Sequence, residues 1–200
     1  NQKIVHEKSK IQPKSVYGKT KLLAEKQIIL NCKKMKINYG ILRYFNVCGA
    51  SPSGKIGIIS KGDHLFKNIS VAAMKKKPII KIYGNDYNTP DGTAIRDFIH
   101  VSDLAEVHYR VLNAISKSKQ SKVLNCGYSR GLSVKQVVNE FRNQINKPFQ
   151  IKFKNRRTGD MEMLIANNAI LKKLINWKPK YNNLTTIVRS CIRWEKKINS

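Results

Sequence analysis

The sequence predicts an α/β protein in which at least some of the strands are parallel. Segments with apolar residues at helical spacing alternate with short runs rich in β-branched and aromatic residues over nearly the whole chain. Glycine, proline and asparagine separate these segments, as is typical of turns between regular elements. Apolar residues make up 41% of the 200 residues, and this share indicates a packed core and argues against a disordered chain.

Six helices are predicted. The first takes its core-facing side from the leucines and isoleucines at positions 22–30, and Ser102 and Ser133 are the expected N-caps of the third and fourth. Trp177 and Trp194 are expected to anchor the C-terminal helices in the core. The predicted helical ranges are 17–34, 65–76, 103–116, 134–145, 168–175 and 184–197.

Five strands are predicted between these helices. The run at 39–45 is apolar and aromatic and is expected to be a buried strand, whereas 149–153 alternates as a half-buried strand should. The other predicted strands are 79–83, 97–101 and 123–126, and a loop rich in Asn, Pro, Asp and Gly is expected at 84–93.

The formal net charge of +27 raises the question of a polyanionic partner. The lysines are spread over the whole chain, and clusters such as Lys33-Lys34 come late in predicted helices, where cations suit the helix dipole. Lysine also accompanies isoleucine and asparagine when a coding sequence is AT-rich. We therefore expect solvated faces, with no nucleic-acid partner and no membrane partner; functional polyanion binding is the less favoured alternative. The positive potential can still assist capture of a diphosphate.

Cysteine and histidine spacing argues against disulfides and metal sites. Cys32, Cys48, Cys126 and Cys191 are far apart within apolar runs, which indicates free thiols and a cytoplasmic location. The histidines show no metal-ligand spacing, so no metal is expected. No apolar stretch approaches the roughly 18 residues that span a bilayer. Residues 1–10 contain no signal-peptide core, although the chain does not begin with Met.

Tyr17 and Lys21 are the first residues that indicate chemistry. Four positions apart in a predicted helix, they lie on one face, one turn from each other. An ammonium group beside a phenol favours the phenolate, which makes the tyrosine a usable proton acceptor. By itself this spacing is a weak signal, because a lysine-rich chain contains it by chance.

Five segments in order strengthen that signal: 15–21 with Glu25, then 42–50, 83–93, 96–105 and 156–160. They resemble the signatures S-x-Y-G-x-[ST]-K…E, L-R-Y-F-N-x-x-G-A, R-D-[YF]-I-H-V-x-D-L-A and R-R-x-G-D of the UDP-glucose 4-epimerase family, and the segment that begins Y-G-N-D-Y continues the resemblance. This family belongs to the NAD-dependent epimerases/dehydratases, which are extended short-chain dehydrogenases/reductases. The resemblance extends from about Ser15 to Trp194 and thus covers nearly the entire chain.

The resemblance implies the C-terminal part of a Rossmann-type extended short-chain dehydrogenase/reductase fold plus a smaller α/β substrate-binding domain. Residues 1–46 would end the NAD-binding domain and 47–200 would form the UDP-sugar-binding domain, with 97–126 packing back on the first. No glycine-rich pyrophosphate turn precedes Tyr17. We therefore expect a C-terminal fragment, or a split gene, and a chain that alone is inactive and poorly folded.

The resemblance also implies an activity in galactose metabolism, the interconversion of UDP-glucose and UDP-galactose with NAD as cofactor. Tyr17 would take the proton of the sugar 4-hydroxyl, and Lys21 would assist it and bind the nicotinamide ribose. The 4-keto sugar would then turn over in the site before it is reduced again. Tyr44 and Phe45 are the further residues expected at the cofactor.

Substrate-binding roles follow by the same resemblance. Arg96 and Arg157 carry guanidinium groups that can bind diphosphate or ribose oxygens in a forked geometry, with a surface ion pair as the alternative. Asp160 would accept from ribose hydroxyls, and Asn46 can both donate and accept. Tyr83, like Phe98, is expected either to wall the ligand or to pack in the core.

Three positions concern selectivity or departures from the family pattern. Asp63-His64-Leu65 stands where many relatives carry Asn-Asn-Leu, so His64 and Leu65 are expected at the nucleotide-sugar. Leu164 stands at the position whose size governs whether N-acetylated sugars are accepted. His100 is expected to be structural, and the predicted role of three aspartates is to fix loop geometry: Asp86, Asp91 and Asp97.

Alternatives remain at this point. The chain could belong to another UDP-sugar 4-epimerase, acting on a UDP-pentose or a UDP-N-acetylhexosamine. It could also belong to a nucleotide-sugar decarboxylase or 4,6-dehydratase, or be an inactive remnant that only binds UDP-sugar. The expected partners are the UDP-sugar substrate and, in the complete protein, a second copy in a homodimer.

Overall fold

The computed structural model describes residues 4–13, 15–59, 62, 64–145 and 147–199; Asp63, named above, lies outside these ranges. Within them the chain forms six helices and nine strands. The helices are α1 (Val16–Lys34), α2 (Leu65–Ala73), α3 (Val101–Ser118), α4 (Val134–Ile145), α5 (Ala169–Ile175) and α6 (Leu184–Ile198). The strands are β1 (Ile4–Val5), β2 (Gly40–Tyr44), β3 (Asn46–Cys48), β4 (Ile79–Tyr83), β5 (Ile95–His100), β6 (Lys122–Cys126), β7 (Gly131–Ser133), β8 (Gln150–Lys154) and β9 (Met163–Ala166).

Parallel pairing dominates the sheets, as the sequence predicts. The largest sheet has the order β1-β9-β5-β3, all parallel, with β7 antiparallel to β5. Two further parallel pairs are β2 with β6 and β4 with β8. The α/β prediction is therefore confirmed.

The chain passes from one sheet to another around Phe45. Strand β2 pairs with β6. Strand β3 is separated from β2 by Phe45 alone and pairs with β5. The Phe45 amide still donates to the Cys126 carbonyl at 3.0 Å, and so continues the β2–β6 pairing. Residues 44–46 therefore lie where the two sheets meet.

The core is one cluster of buried side chains from helices α2 to α6 and strands β3 to β7. Phe66 of α2 makes edge-on contacts with Phe98 and Phe141, with ring centroids 5.1 and 5.8 Å apart. All three rings are buried, which is worth roughly 1.5–3 kcal/mol for each side chain. Trp177 is buried as predicted, whereas Trp194 is half-buried and donates its indole N–H to the Ile58 carbonyl at 2.9 Å.

Two burial predictions are wrong. Helix α1 has no buried residue, and Leu23 and Ile28 are 60% and 46% exposed. The predicted buried strand at 39–45 is β2, whose residues are half-buried or exposed. The reason is shared: within the described ranges β2 has a strand partner on one side only, and no element covers the apolar side of α1.

The predicted cap of α3 is also wrong. The helix begins at Val101, because β5 continues directly into it, and the Nδ1 atom of His100 accepts from the Ser102 amide at 3.1 Å. Ser133 does cap α4: its Oγ accepts from the Gln136 amide at 3.0 Å, and the Gln136 side chain accepts from the Ser133 amide at 2.8 Å. Such reciprocal bonds form a capping box.

Four short strands escaped prediction: β1, β3, β7 and β9, of two to four residues each. Segments this short contain too few residues to show a period. Helix α2 ends at Ala73, so Lys75, Lys76 and Lys77 follow the helix instead of closing it.

Other general features concern the described ranges alone. None of the helices there combines the length and the apolar character that crossing a bilayer takes. No cluster of three His, Cys, Asp or Glu side chains in that part of the chain is suited to hold a metal ion. The four cysteines are free, three of them buried and Cys32 half-buried.

Candidate functional site

A cleft of about 1090 Å³ opens between α1, the start of α2, strand β4 and the segment before β9. Every residue that the sequence placed in the site lines this cleft, although their roles stay predictions. The residues are Tyr17, Lys21, Tyr44, Phe45, Asn46, His64, Leu65, Tyr83, Arg96, Phe98, Arg157, Asp160 and Leu164.

Tyr17 lies in the first turn of α1 and faces the cleft. Ser15 caps this helix, because its Oγ accepts from the Gly18 amide at 3.1 Å. The Tyr17 side chain is 69% exposed, and the Lys21 ammonium lies over its ring, 5.4 Å from the centroid. A phenol and an ammonium group thus share one accessible helix face, as the four-residue spacing predicts.

Glu25 and Arg43 are cleft residues that the sequence analysis left without a role. Glu25 is one turn beyond Lys21, and its carboxylate accepts from both Nε, at 2.9 Å, and the terminal nitrogen of Arg43. Arg43 also donates to the Glu7 carbonyl at 3.0 Å. The hydrogen bonds to Glu25 raise the pKa of Arg43, and the pair fixes α1 against β2. The signal in the sequence was the continued four-residue spacing Tyr17-Lys21-Glu25.

Arg96 and Asp160 form an ion pair at the wall of the cleft. The Arg96 side chain is 12% exposed and also donates to its neighbouring Ile95 carbonyl at 2.7 Å. The ion-pair alternative named for Arg96 is thus observed, inside the cleft instead of on the open surface. A diphosphate that binds Arg96 would have to share this guanidinium with Asp160.

Arg157 stacks on Tyr83, with the guanidinium carbon 4.2 Å from the ring centroid. Tyr83 ends β4 and is 36% exposed, so it presents an aromatic surface to the cleft. Phe98 is only 3% exposed and packs on Phe66, which favours the core-packing alternative for Phe98.

The remaining predicted residues occupy the rim and the floor. His64 is exposed at the N-cap position of α2 and makes no side-chain capping bond there. Asn68, one turn further on, also lines the cleft and was missed. Asn46 is exposed at the start of β3, and Leu164 is half-buried on β9 beside Arg96, its partner in the parallel register.

His100 is buried behind the cleft, where its ring stacks on Tyr181 with centroids 4.5 Å apart. Burial lowers its pKa, which favours the neutral ring. Gly49 has a φ of +84°, and a Cβ there would lie 2.2 Å from the imidazole, so only glycine fits. These contacts agree with the structural role predicted for His100.

The three aspartates that were predicted to fix loop geometry make hydrogen bonds or ion pairs with neighbouring segments. Asp97 is fully buried and accepts from the amides of Tyr128 at 2.8 Å and Ala166 at 3.1 Å. Asp91 accepts from the Thr93 amide at 2.9 Å, and Asp86 pairs with Arg156 at 2.8 Å. Asp97 itself lies in β5, where it holds the loop that follows β6. These contacts agree with the predicted role in loop geometry.

Fold and cleft together define an α/β protein in which a tyrosine–lysine pair and two arginines face one ligand-sized space. Residues 1–127 match the NAD dependent epimerase/dehydratase family. This match covers more than half of the chain, and the chain therefore belongs to that family.

Individual relatives agree with this assignment. A UDP-glucose 4-epimerase of Azospirillum brasilense is 37% identical over 195 residues, which cover 97% of this chain and 56% of the relative. The structure of UDP-glucose-4-epimerase from Stenotrophomonas maltophila with bound NAD and formylated UDP-arabinopyranose superposes with a TM-score of 0.91 at 29% identity, covering 98% of this chain and 59% of the other. The UDP-Glc/GlcNAc 4-epimerase from Campylobacter jejuni gives 0.78 at 36% identity, covering 97% and 59%. The chain spans little more than half of the length of the curated relatives that it matches.

Proposed function

We propose that this chain is the substrate-binding part of an NAD-dependent UDP-sugar 4-epimerase that interconverts UDP-glucose and UDP-galactose. The observation that carries the proposal is the cleft in which Tyr17 and Lys21 face the same space as Arg96 and Arg157. A proton acceptor and two anion-binding groups in one cleft suit a sugar attached to a diphosphate.

The residues present fit one side of an NAD molecule. Tyr17 and Lys21 form an exposed polar helix face, and Tyr44 and Phe45 line the cleft where the parallel strands β2 and β6 end. Carboxyl ends of parallel strands are where α/β folds bind dinucleotides. When bound, NAD would supply reversible oxidation at the sugar C4. A glycine-rich pyrophosphate turn is not found in these 200 residues.

The chain's own residues would then act as follows. The Tyr17 oxygen, exposed to the cleft, would take the proton of the 4-hydroxyl and later return it, with the Lys21 ammonium stabilising the phenolate. Arg96 and Arg157 would hold the diphosphate, and Asp160 would accept from ribose hydroxyls. Binding energy fixed on the nucleotide leaves the sugar free to turn, which the inversion requires.

The choice of sugar rests on Leu164. Its half-buried side chain at the cleft floor is intermediate in size, so a UDP-pentose or a UDP-N-acetylhexosamine is the alternative substrate. The relative crystallised with formylated UDP-arabinopyranose and the Glc/GlcNAc relative support keeping this alternative. Relative turnover of UDP-galactose, UDP-arabinose and UDP-N-acetylgalactosamine distinguishes them.

Location and assembly belong to the same proposal. We place the protein in the cytoplasm, where its free cysteines would stay reduced. The exposed apolar side of α1 is compatible with the predicted homodimer of the complete protein. The domain boundary at residue 46 and the expectation that the chain alone is inactive and poorly folded also stay predictions.

Titration of UDP into the 200-residue chain tests the nucleotide part. We expect the parent chain to bind UDP. The dissociation constant should be about tenfold larger in Arg157→Gln and unchanged in Tyr17→Phe. For the reaction, the chain joined to the upstream part of the Azospirillum brasilense relative should convert UDP-galactose to UDP-glucose. A folded chain that does not bind UDP would contradict the proposal.

A further inference from the structure

Two adjacent arginines, Arg156 and Arg157, serve different surfaces. Arg157 lines the cleft and stacks on Tyr83. Arg156 is not among the described residues that line the cleft; it reaches the loop 84–93 behind it instead. The sequence motif presents the two side chains as a pair, whereas the structure separates them.

Arg156 contacts this loop in three ways. Its Nε donates to the Asp86 carboxylate at 2.8 Å, and a terminal nitrogen donates to the Asp86 carbonyl. Its guanidinium carbon lies 4.2 Å from the centroid of the Tyr87 ring. A planar guanidinium can make the forked bonds and the stack at once, and an ammonium group cannot.

Tyr87 is fixed within the loop 84–93. It is only 4% exposed, its amide donates to the Gly92 carbonyl at 3.0 Å, and its ring packs on Gly84, where a Cβ would approach to 2.4 Å. Its buried hydroxyl has no hydrogen-bond partner among the described residues. Burial raises the pKa of that hydroxyl, and the charge of Asp160 raises it further.

The backbone links both stacks to one frame. Tyr83 pairs with Lys154 in the β4–β8 register, and the Gly84 amide donates to the Lys154 carbonyl at 2.7 Å. Arg156 and Arg157 follow within three residues, and the Arg157 carbonyl accepts from the Asp160 amide at 3.1 Å. The turn 156–160 is therefore held to the 83–87 segment by two arginine–tyrosine stacks.

The geometry points to Arg156 as a positioning residue for nucleotide binding: through its stack on Tyr87 and its bonds to Asp86, it orients the turn that presents Arg157 and Asp160 to the cleft. It does not touch the ligand itself. This inference rests on the proposed function, because the ligand in question is the nucleoside diphosphate.

A double-mutant cycle tests this role in the chain joined to the upstream part of the Azospirillum brasilense relative, with UDP as the titrated probe. Arg156→Gln should weaken UDP binding about tenfold, and less than about twofold when Arg157→Gln is already present, because the effect acts through Arg157. Lys154→Gln is the matched control: it removes the same charge two residues away, without a contact to Asp86 or Tyr87. This control should weaken binding less than about twofold. Arg156→Lys keeps the charge but not the stack, and should restore only a part of the affinity.

Equal losses in Lys154→Gln and Arg156→Gln would overturn the inference, since the effect would then be one of charge alone. The inference would also be overturned if Arg156→Gln weakened UDP binding by the same factor with and without Arg157→Gln. If the parent chain does not bind UDP, the proposed function fails, and amide exchange still tests the positioning role. Arg156→Gln should increase deuterium uptake at 84–93 and 156–160, whereas Lys154→Gln should not; unchanged uptake in both would overturn it.

Discussion

The proton transfer proposed for Tyr17 would depend on two properties of a single side chain. The phenol must be accessible to a sugar, and it is 69% exposed. It must also be able to carry a negative charge briefly, and the group proposed to assist this is the Lys21 ammonium, 5.4 Å from the ring centroid. Neither property requires the rest of the cleft, which explains why this residue could be identified from spacing and resemblance.

In the joined protein, which is this chain joined to the upstream part of the Azospirillum brasilense relative, Tyr17→Phe should abolish epimerisation. The UDP dissociation constant should stay within about twofold of the parent, because the lost oxygen would take part in the chemistry and not in nucleotide binding. Coupled measurement of UDP-glucose formation and UDP titration separates the two effects. Retention of more than a tenth of the turnover would exclude Tyr17 as the proton acceptor.

Asp97 makes the stability of the fold depend on pH. Burial raises the pKa of this carboxyl from 3.8 to about 6, against the effect of the amides that donate to it. The folded chain therefore takes up a proton that the unfolded chain does not. Its stabilising contribution is fully present below about pH 3.8 and is lost as the pH rises through about 6.

Asp97→Asn has no such titration. The unfolding free energy of the parent minus that of the variant should consequently be larger at pH 4 than at pH 7, by about 2.4 kcal/mol. Urea unfolding of both proteins at pH 4, 5, 6 and 7 measures it. A difference that does not change over this range would show that the carboxyl ionises in the fold as it does in water.

Helix α1 is held to the rest of the described chain chiefly at one point. Its apolar side is exposed, and Arg43 bonds Glu25 on the face that carries Tyr17. Glu25→Gln should reduce the unfolding free energy by about 1–2 kcal/mol, because a charged hydrogen bond becomes a neutral one. In the joined protein it should lower kcat more than it raises KM, since Tyr17 loses its placement.

Glu106→Gln is the matched control for this prediction. Glu106 pairs with Arg110 at 3.0 Å on α3, four residues apart, and with Lys180 at 3.8 Å. Partly exposed pairs of this kind contribute about 1 kcal/mol or less. Chemical denaturation of both variants gives the comparison. Equal destabilisation by the two substitutions would mean that the bond to Arg43 is an ordinary surface pair.

Helices α2 and α6 are joined by a buried ion pair. Lys67 and Glu195 are 8% and 3% exposed, with nitrogen and oxygen 2.7 Å apart, and Asn199 donates to the second carboxylate oxygen at 3.0 Å. Lys67→Met leaves a buried carboxylate unpaired and should cost about 3–5 kcal/mol, whereas the double change with Glu195→Met should recover most of this. Urea midpoints measure both, and a cost below about 1 kcal/mol for the single change would contradict it.

At the scale of the molecule, periodicity predicted what lies within an element and missed what lies between elements. Strand β4 was predicted with the bounds that the structure gives, because its own five residues carry the strand signal, and their burial alternates in the structure. Short strands such as β3 and β9 exist through their pairing with β5, which no local pattern records.

The site shows the same division. The residues predicted for the site all line the cleft. The Arg96–Asp160 and Glu25–Arg43 pairs were not predicted, because they join positions far apart in sequence. The burial of α1 was overestimated for a related reason. An apolar helix side indicates that something covers it, and the sequence of the helix does not say whether the cover lies in the same 200 residues.

The charge and the apolar side of α1 act in opposition on self-association. A net charge of +27 keeps molecules apart at low ionic strength, and salt removes that repulsion. Light scattering of the chain should therefore rise between about 10 and 500 mM NaCl. Leu23→Lys with Ile28→Lys should suppress the rise, and Leu112→Lys with Ile170→Lys, which adds the same charge at exposed positions on α3 and α5, should not. Equal light scattering in both double variants would show that the apolar side of α1 is not the surface through which the chain self-associates.

The crossing at Phe45 has a mechanical consequence. Tyr44 belongs to the strand that pairs with β6, and Asn46 to the strand that pairs with β5, so the two ends of a three-residue segment are each clamped by a different sheet. A relative displacement of the sheets would have to be absorbed by the few torsions of this segment. The distance between the β2–β6 pair and the sheet that contains β5 is thus limited here by the covalent geometry of residues 44–46 more than by side-chain packing.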